Sequence, residues 1–317
     1  MLARMLLCLW FALPVACLAQ DYPSAGIKLI VSSPPGGGTD ILARLIGEKF
    51  RERWKQPVVV ENRGGAAGNI GADLVFKSPP DGHTLLIAAQ APLVINKSLY
   101  AKLSFDPDAF VPVSMVASTP AILLVHPEVP ARSVRELIAY AKANPGKLNY
   151  ATQGIGNSAH LTAELLNSMA DIRTVHVPYK GTAPALIALV AGEVQMLFGE
   201  LATAGPHINA GRLRVLAVAS EKPSALLPGT PTVSEVLPGF VSVTWWGMVA
   251  PPGTPGAVAG RISEGVAYAL KQPDVAKRLA DMSIEPAGST PAELAAFMTQ
   301  ERALWGKVIR MTGTTAN

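Results

Sequence analysis

Short apolar runs alternate with amphipathic stretches along most of this chain. Short runs rich in Val, Ile and Leu predict buried strands, while apolar residues three or four apart predict helices. The strand runs are 27–31, 57–60, 84–89, 148–151, 174–177, 194–198 and 213–219. The helical stretches follow the glycine-rich turns and also cover 255–272, 273–282 and 291–310, each with a proline at its start. This order predicts an α/β protein with parallel sheets flanked by helices.

Two further apolar runs lie where the chain passes between two such series. The first, 113–125, is interrupted by Pro120, and the second covers 241–249. We expect them to be two hinge crossings between two lobes. The prediction places 20–118 and 245–317 in lobe 1 and 119–244 in lobe 2.

A glycine-rich turn follows an early strand in each half. The first turn covers 35–40 (PGGGTD) and the second covers 152–158 (TQGIGNS). A helix start has free N–H donors and a partial positive charge, and glycine lets a ligand approach the backbone closely. Two such turns facing each other predict a clamp for one small anion. No lysine follows the glycines of the first turn, so a phosphate loop is disfavoured.

The second turn also fits a dinucleotide pattern, because 154–159 is G-x-G-x-x-A after a strand. The acidic partner of that pattern would have to be Asp171, which comes early and precedes a strand where it should end one. The polar residues around the turn suit a carboxylate better. An exported NAD-dependent oxidoreductase nevertheless stays open as the alternative function.

The N-terminus predicts export. Arg4 precedes an apolar run that ends in small residues near Ala19, which is typical of a cleaved signal peptide at 1–19. Both cysteines, Cys8 and Cys17, fall inside it, so we expect a mature protein without thiols or disulfides. A lipoprotein site at Cys17 fits less well because of Pro14.

Composition narrows the function further. The 317 residues are 49% apolar and 16% charged, and the formal net charge is +4 at pH 7. No basic stripe of the kind that binds nucleic acid occurs. His160 and Glu164 share a helical spacing, but two ligands do not make a metal site, and no G-x-S-x-G elbow occurs. We therefore expect no catalytic residue, no metal and no cofactor.

Six motifs in order along the chain resemble the Bug family, the periplasmic solute receptors of tripartite tricarboxylate transporters. They are PGGxxD at 35–40, ENR at 61–63, GNIG at 68–71, PDGxTLL at 80–86, VPYKG at 177–181 and APxGTP at 250–255. The resemblance implies a two-lobed periplasmic binding protein fold of type II-like architecture. It also implies a periplasmic receptor that closes on a small carboxylate and delivers it to the membrane components of a transporter.

Carried over by position, the resemblance implies a ligand site built from both glycine turns. Asp40 either holds its loop or meets a ligand amine, Gln90 follows the strand 84–89, and Glu200 either selects a ligand amine or hydroxyl or caps a helix. Glu200 stands in a Gly-Glu pair where relatives usually have Asp-Asn, so ligand choice stays open. We expect a monomer that contacts ligand through Gly37, Gly38, Thr39, Asp40, Gln90, Thr152, Gly156, Asn157, Ser158 and Glu200.

Overall fold

The computed structural model describes residues 22–179 and 181–316. The expected signal peptide at 1–19, with both cysteines, lies outside the described residues, as does Lys180 of the VPYKG motif. Within these two ranges, no helix has the length and apolar character needed to cross a bilayer.

The first lobe is built on a six-stranded sheet with the order β2-β1-β3-β10-β4-β11. Its strands are β1 (Ile27–Val31), β2 (Val58–Asn62), β3 (Thr84–Ala89), β4 (Val111–Pro120), β10 (Val243–Ala250) and β11 (Glu285–Pro286). The first three strands are parallel, whereas β10 runs antiparallel to both β3 and β4.

The second lobe is built on a five-stranded sheet with the order β7-β6-β8-β5-β9. Its strands are β5 (Ile122–Val125), β6 (Asn149–Thr152), β7 (Val175–Pro178), β8 (Met196–Gly199) and β9 (Arg214–Val218). Strands β6, β7 and β8 are parallel, and β5 runs antiparallel to β8 and β9.

Helices cover both faces of the sheets. They are α1 (Gly38–Trp54), α2 (Asn69–Phe76), α3 (Asn96–Leu99), α4 (Val134–Ala143), α5 (Ser158–Ala170), α6 (Thr182–Val190), α7 (Leu201–Asn209), α8 (Gly256–Leu270), α9 (Pro273–Asp281) and α10 (Pro291–Thr312). The apolar run at 29–31 in β1 is buried on both faces: Leu29 and Val31 pack with Leu42 of α1, while Ile30 packs with Val75 of α2 on the opposite face.

The two crossings lie side by side and are hydrogen-bonded to each other. Ala121, between β4 and β5, accepts from the N–H of Ala219 (2.7 Å), and Ala219 accepts from the N–H of Ser242 (2.7 Å). Three chain segments therefore meet where the sheets join, which is the position expected for a hinge. The residue ranges of the two lobes, 20–118 with 245–317 and 119–244, stay a prediction.

Helix α10 links the two lobes on one side of the molecule. Its residues Met298 and Trp305 share one buried apolar cluster with Leu161 and Leu165 of α5 and with Leu93, near the end of β3. The carboxylate of Glu301 accepts from the indole N–H groups of Trp245 and Trp305, both at 2.9 Å. A buried acceptor thus ties α10 to the crossing strand β10.

The α/β fold class is confirmed, with two differences of detail. Both sheets are mixed instead of wholly parallel, because the crossing strands enter each sheet in the reverse direction. The sequence also predicts a reciprocal capping box at Ser133 and Glu136. Ser133 does accept from the N–H of Glu136 (3.2 Å), but the Glu136 carboxylate accepts from Arg132 (2.6 Å), one residue outside the helix.

Candidate functional site

Both glycine turns line one cleft between the lobes. Gly37, Gly38 and Thr39 from the first turn lie across the cleft from Gln153 and Ser158 of the second. The cleft has a volume of about 810 Å³, which is ample for a small ligand with its water. The two turns therefore meet the geometric condition for holding a common ligand.

Three helices that start at this cleft have glycine as the N-cap residue. Gly37 precedes α1, Gly68 precedes α2 and Gly181 precedes α6, and none of them has a side chain to cap its helix. Away from the cleft, Ser133 caps α4 and Thr290 caps α10 through their hydroxyls, whereas α8 and α9 have no side-chain cap. At α2 the first N–H, that of Asn69, already donates to the carbonyl of Ala66. Because the remaining N–H groups of an uncapped helix start are free and carry their share of the helix dipole, the cleft is suited to an anion.

The first turn is held in shape by Asp40. One carboxylate oxygen accepts from the N–H of Gly36 (2.9 Å) and from Arg44 Nε (3.1 Å), and Asp40 is only 4% exposed. Burial opposes its ionisation, but the bonds from Arg44 and Gly36 outweigh burial and lower the pKa of Asp40. These contacts favour the loop-holding role for Asp40 over contact with a ligand amine.

Apart from Gly36, the same turn leaves backbone donors open. The N–H of Ile41 donates to the carbonyl of Gly37 (3.0 Å), which closes the first turn of α1. The N–H groups of Gly38 and Thr39 come before that bond and have no helical acceptor. A carboxylate lying against this turn would give them one.

The second turn uses more of its own groups. Asn157 caps α5 by accepting from the N–H of His160 (3.0 Å), the N–H of Gly156 donates to His160 Nδ1 (3.0 Å), and the hydroxyl of Thr152 donates to the carbonyl of Gly154 (2.8 Å). Of the four residues expected here, Ser158 lines the cleft, whereas Thr152, Gly156 and Asn157 shape the turn behind it.

Glu200 lies at the floor of the cleft, directly after β8. Its backbone caps α7, but its side chain does not. Burial raises the pKa of the Glu200 carboxyl, and the neighbouring Thr244 hydroxyl opposes only part of the rise. Of the described residues that line the cleft, Glu200 is the one with an ionisable side chain, and none is lysine or arginine.

A small recess opens from the floor beside Glu200. It has a volume of about 30 Å³ and is lined by the hydroxyl-bearing residues Ser158, Thr162, Ser242 and Thr244. This volume suffices for one or two water molecules, and the hydroxyls supply the polar partners that ordered water needs.

Gln90 is not among the residues that line the cleft. It is 3% exposed, and its Oε1 accepts from the N–H of Trp245 (3.2 Å), so its side chain supports the crossing strand β10. Its neighbours Ala89 and Ala91 do line the cleft. A direct contact between Gln90 and a ligand stays a prediction.

Several lining residues were missed by the sequence analysis. They are Gly65 and Gly68 before α2, Thr182 at the start of α6, and Thr244 and Trp246 on β10. The first three could have been predicted from the sequence. Like the two glycine turns, they lie where a glycine-containing turn connects a strand to a helix. Thr244 and Trp246 carry no such signal, since only the path of the crossing strand brings them to the floor.

The geometry does not support a dinucleotide site or a metal site at the second turn. Asp171 lies at the far end of α5, where it is the C-cap residue, so it cannot meet a ribose at the glycine turn. His160 and Glu164 have separate partners, His160 at Gly156 and Glu164 at the hydroxyl of Tyr150. Within 22–179 and 181–316, no group of three or more His, Cys, Asp or Glu residues is placed to hold a metal ion.

Two α/β lobes joined by paired crossings, with open helix starts lining the cleft between them, define a solute-binding protein. Residues 42–314 match the family model described as "Tripartite tricarboxylate transporter family receptor". The chain belongs to this family of periplasmic solute-binding receptors, which confirms the resemblance to the Bug family. The dinucleotide-dependent alternative is not favoured.

The sequences of individual relatives match nearly the whole length of this chain. A "UPF0065 protein in tcbD-tcbE intergenic region" from a Pseudomonas species is 40% identical over 291 residues, covering 91% of this chain and 86% of the relative. Protein BugT from Bordetella pertussis is 36% identical over 305 residues, covering 95% and 93%.

Solved structures show the same fold. "R. palustris Rpa4515 with adipate" superposes with a TM-score of 0.77 at 35% identity, covering 93% of this chain and 99% of that one. "MatC (Rpa3494) from Rhodopseudomonas palustris with bound malate" gives a TM-score of 0.73 at 32% identity, covering 91% and 100%.

Proposed function

We propose that this protein captures a small carboxylate in the cleft between its lobes and presents it to the membrane components of a tripartite transporter. The observation that carries the proposal is the convergence of uncapped helix starts on one cavity. Gly37, Gly68 and Thr182 each bring such a start to the cleft, and Ser158 brings the start of α5. Backbone donors suit a carboxylate without a side-chain cation.

The structural neighbours support the ligand class. One of them is described with adipate and another with malate, both of them dicarboxylates. We propose that a carboxylate of the ligand lies between Gly37, Gly38 and Thr39 of the first lobe and Ser158 of the second. Asp40, Thr152, Gly156 and Asn157 then act by shaping the two turns, and Gln90 by fixing β10.

Glu200 gives the floor of the cleft its selectivity in this proposal. When the helix starts hold one carboxylate of the ligand, the other end of the ligand faces Glu200. When Glu200 is ionised, a hydroxyl or an amine is accepted there and a second carboxylate is repelled. When Glu200 is protonated, the second carboxylate is tolerated because the carboxyl group then donates a hydrogen bond.

The remaining parts of the proposal concern the location of the protein, its oligomeric state and its lack of catalysis. We propose that the protein acts in the periplasm after cleavage of its signal peptide, as a monomer, and that it performs no chemistry on its ligand. The family assignment supports the periplasmic role and the transporter as partner.

A thermal-shift screen tests the proposal. Purified protein is heated with adipate, malate, glutamate or NAD, and the unfolding temperature is compared with that of the protein alone. A matching carboxylate at about 100 times its dissociation constant stabilises the folded state by roughly 2.7 kcal/mol, because it binds the native state alone. Stabilisation by NAD but by none of the carboxylates would contradict the proposal.

A further inference from the structure

Two stacked imidazoles lie directly behind the second glycine turn. The rings of His160, on α5, and His176, on β7, have centroids 4.0 Å apart and planes inclined by 12°. Neither residue lines the cleft. Each instead holds one end of the turn that does.

His160 holds the later end of the turn. The N–H of Gly156 donates to His160 Nδ1 at 3.0 Å, within a buried environment. Gly156 has φ +76°, a conformation that glycine adopts readily. Because Nδ1 accepts this bond, it carries no proton, and the neutral ring has its proton on Nε2.

His176 holds the earlier end. Its Nε2 lies 2.6 Å from Thr152 Oγ1. The Thr152 hydroxyl also lies 2.8 Å from the carbonyl of Gly154, and the tautomer of His176 decides which atom of the Thr152–His176 pair donates. The segment from Thr152 to Gly156 is therefore fixed at both ends by histidine.

Burial and the closeness of the two rings favour neutral imidazoles, whereas the nearby Glu164 favours a charged His176. Tyr150 of β6 stacks on His176 with centroids 5.0 Å apart and donates to Glu164 of α5. From α10, Lys307 lines a groove together with Glu164. Burial lowers the pKa of His160. Burial and the adjacent His160 lower the pKa of His176 to about 4, which Glu164 opposes in part.

We propose that His160 is a positioning residue that holds the second glycine turn in its binding shape while its imidazole is neutral, and releases the turn when it is protonated. Protonation places a hydrogen on Nδ1, so two donors, Nδ1–H and the N–H of Gly156, then face each other. The stacked His176 adds to the cost, since two cations at this separation repel. The consequence for the ligand rests on the proposed function, whereas the hold on Gly156 does not.

The hold on Gly156 is tested without ligand, by amide hydrogen exchange followed by NMR between about pH 7.5 and about pH 4.5. Protection of the Gly156 amide is taken relative to an unstructured peptide, because intrinsic exchange depends on pH. Two variants are compared with the wild type: His160→Asn keeps an acceptor near the position of Nδ1 and cannot titrate, and His160→Phe keeps an aromatic ring without an acceptor.

The wild type should protect Gly156 at neutral pH and lose about tenfold or more of that protection as the ring signals of His160 in the same NMR titration show its protonation. His160→Asn should stay protected across the range, and His160→Phe should be unprotected throughout. Equal protection in the wild type and His160→Phe would overturn the proposal. A pH dependence in His160→Asn as steep as in the wild type would overturn it as well.

Adipate affinity of the same three proteins at neutral pH gives the functional outcome. His160→Phe should bind adipate about tenfold more weakly than the wild type, and His160→Asn should bind it like the wild type. If the wild type binds neither adipate nor the other carboxylates of the screen, the proposed function fails, and the exchange measurement alone decides the positioning role.

Discussion

The indole of Trp246 covers the start of α1 at Gly38. A methyl group added at Gly38 would lie 3.2 Å from Cζ2 of Trp246, closer than ordinary van der Waals contact. Gly38 is therefore required for packing against the crossing strand as well as for access to the backbone. Gly37, one residue earlier, is different, because an added methyl group would find only the carbonyl oxygen of Pro34, at 3.9 Å.

The first prediction concerns Gly38→Val. The new side chain must displace the indole of Trp246, so we expect the free energy of unfolding to fall by about 1–3 kcal/mol, the usual cost of overpacking. Urea denaturation measures this change. An unchanged unfolding midpoint would show that the indole moves aside freely.

The second prediction concerns Gly37→Val. Gly37 has φ −82° and ψ 171°, which valine adopts without strain, and the new side chain would occupy open space at a residue that lines the cleft. We expect adipate or malate affinity to fall about tenfold or more while the unfolding midpoint stays nearly unchanged. Isothermal titration calorimetry and urea denaturation separate the two effects.

Gly256→Val is the matched control for Gly37→Val. Gly256 is the first residue of α8, has open space around it and does not line the cleft. Gly256→Val should change neither the affinity for adipate or malate nor the unfolding midpoint greatly. Equal affinities in the two variants would remove the first glycine turn from the ligand site.

The third prediction concerns the charge at the floor of the cleft. Two like charges about 8 Å apart repel by roughly 2 kcal/mol at an effective dielectric constant of about 20. Glu200→Gln removes the charge and keeps the shape, so we expect adipate to bind about tenfold or more tightly to the variant at neutral pH. Calorimetric titration provides the affinities.

The acidity of Glu200 gives this prediction a second test. Because burial raises the pKa of Glu200, mild acid should also improve adipate binding by the wild type, and the variant should lack that response. Weaker adipate binding by Glu200→Gln would contradict the repulsion, because the glutamine amide carries no charge and can still donate a hydrogen bond.

The cleft was predictable from the sequence because its main parts are local. Gly37 and Ser158 lie at strand-to-helix turns, and in parallel α/β sheets such turns gather at the carboxyl edge. The geometry of each turn depends on residues that are neighbours in the sequence. The pattern of apolar runs therefore yields the fold class, and the glycine turns yield the position of the cleft.

The parts that were not predictable depend on contacts between residues far apart in sequence. Gln90 follows β3 as the sequence suggests, but its side chain turns to Trp245, more than 150 positions away. The reverse direction of β10 also arises from tertiary packing. The sequence pattern anticipates a helix start after Glu200 only as one alternative, because Pro206 lies within α7 and proline normally argues against a helix interior.

The fourth prediction concerns the buried carboxyl group that ties α10 to β10. Glu301 is 5% exposed and accepts from the indoles of Trp245 and Trp305. Glu301→Ala leaves two buried N–H donors without a partner, which should lower the free energy of unfolding by about 2–4 kcal/mol. Glu301→Gln keeps an acceptor oxygen and should cost clearly less. Urea denaturation compares the two variants, and equal losses would show that the volume of the side chain matters more than its acceptor.

The fifth prediction concerns the pH dependence of stability. The pKa of His176 is lowered from 6.5 to about 4, first by burial and then by the adjacent His160. Between these values the unfolded chain binds a proton that the folded protein does not, so the free energy of unfolding rises with pH and falls as acid is added. Asp40, Asp73 and Asp106, whose pKa values are lowered from 3.8, act in the same direction at lower pH. Glu200 and Glu301, whose pKa values are raised by burial, act in the opposite direction, so the contribution of His176 is read as a difference. The loss of stability below pH 6.5 in urea denaturation should be shallower in His176→Phe than in the wild type. If the variant and the wild type lose stability equally over this range, the stacked histidines are not its cause.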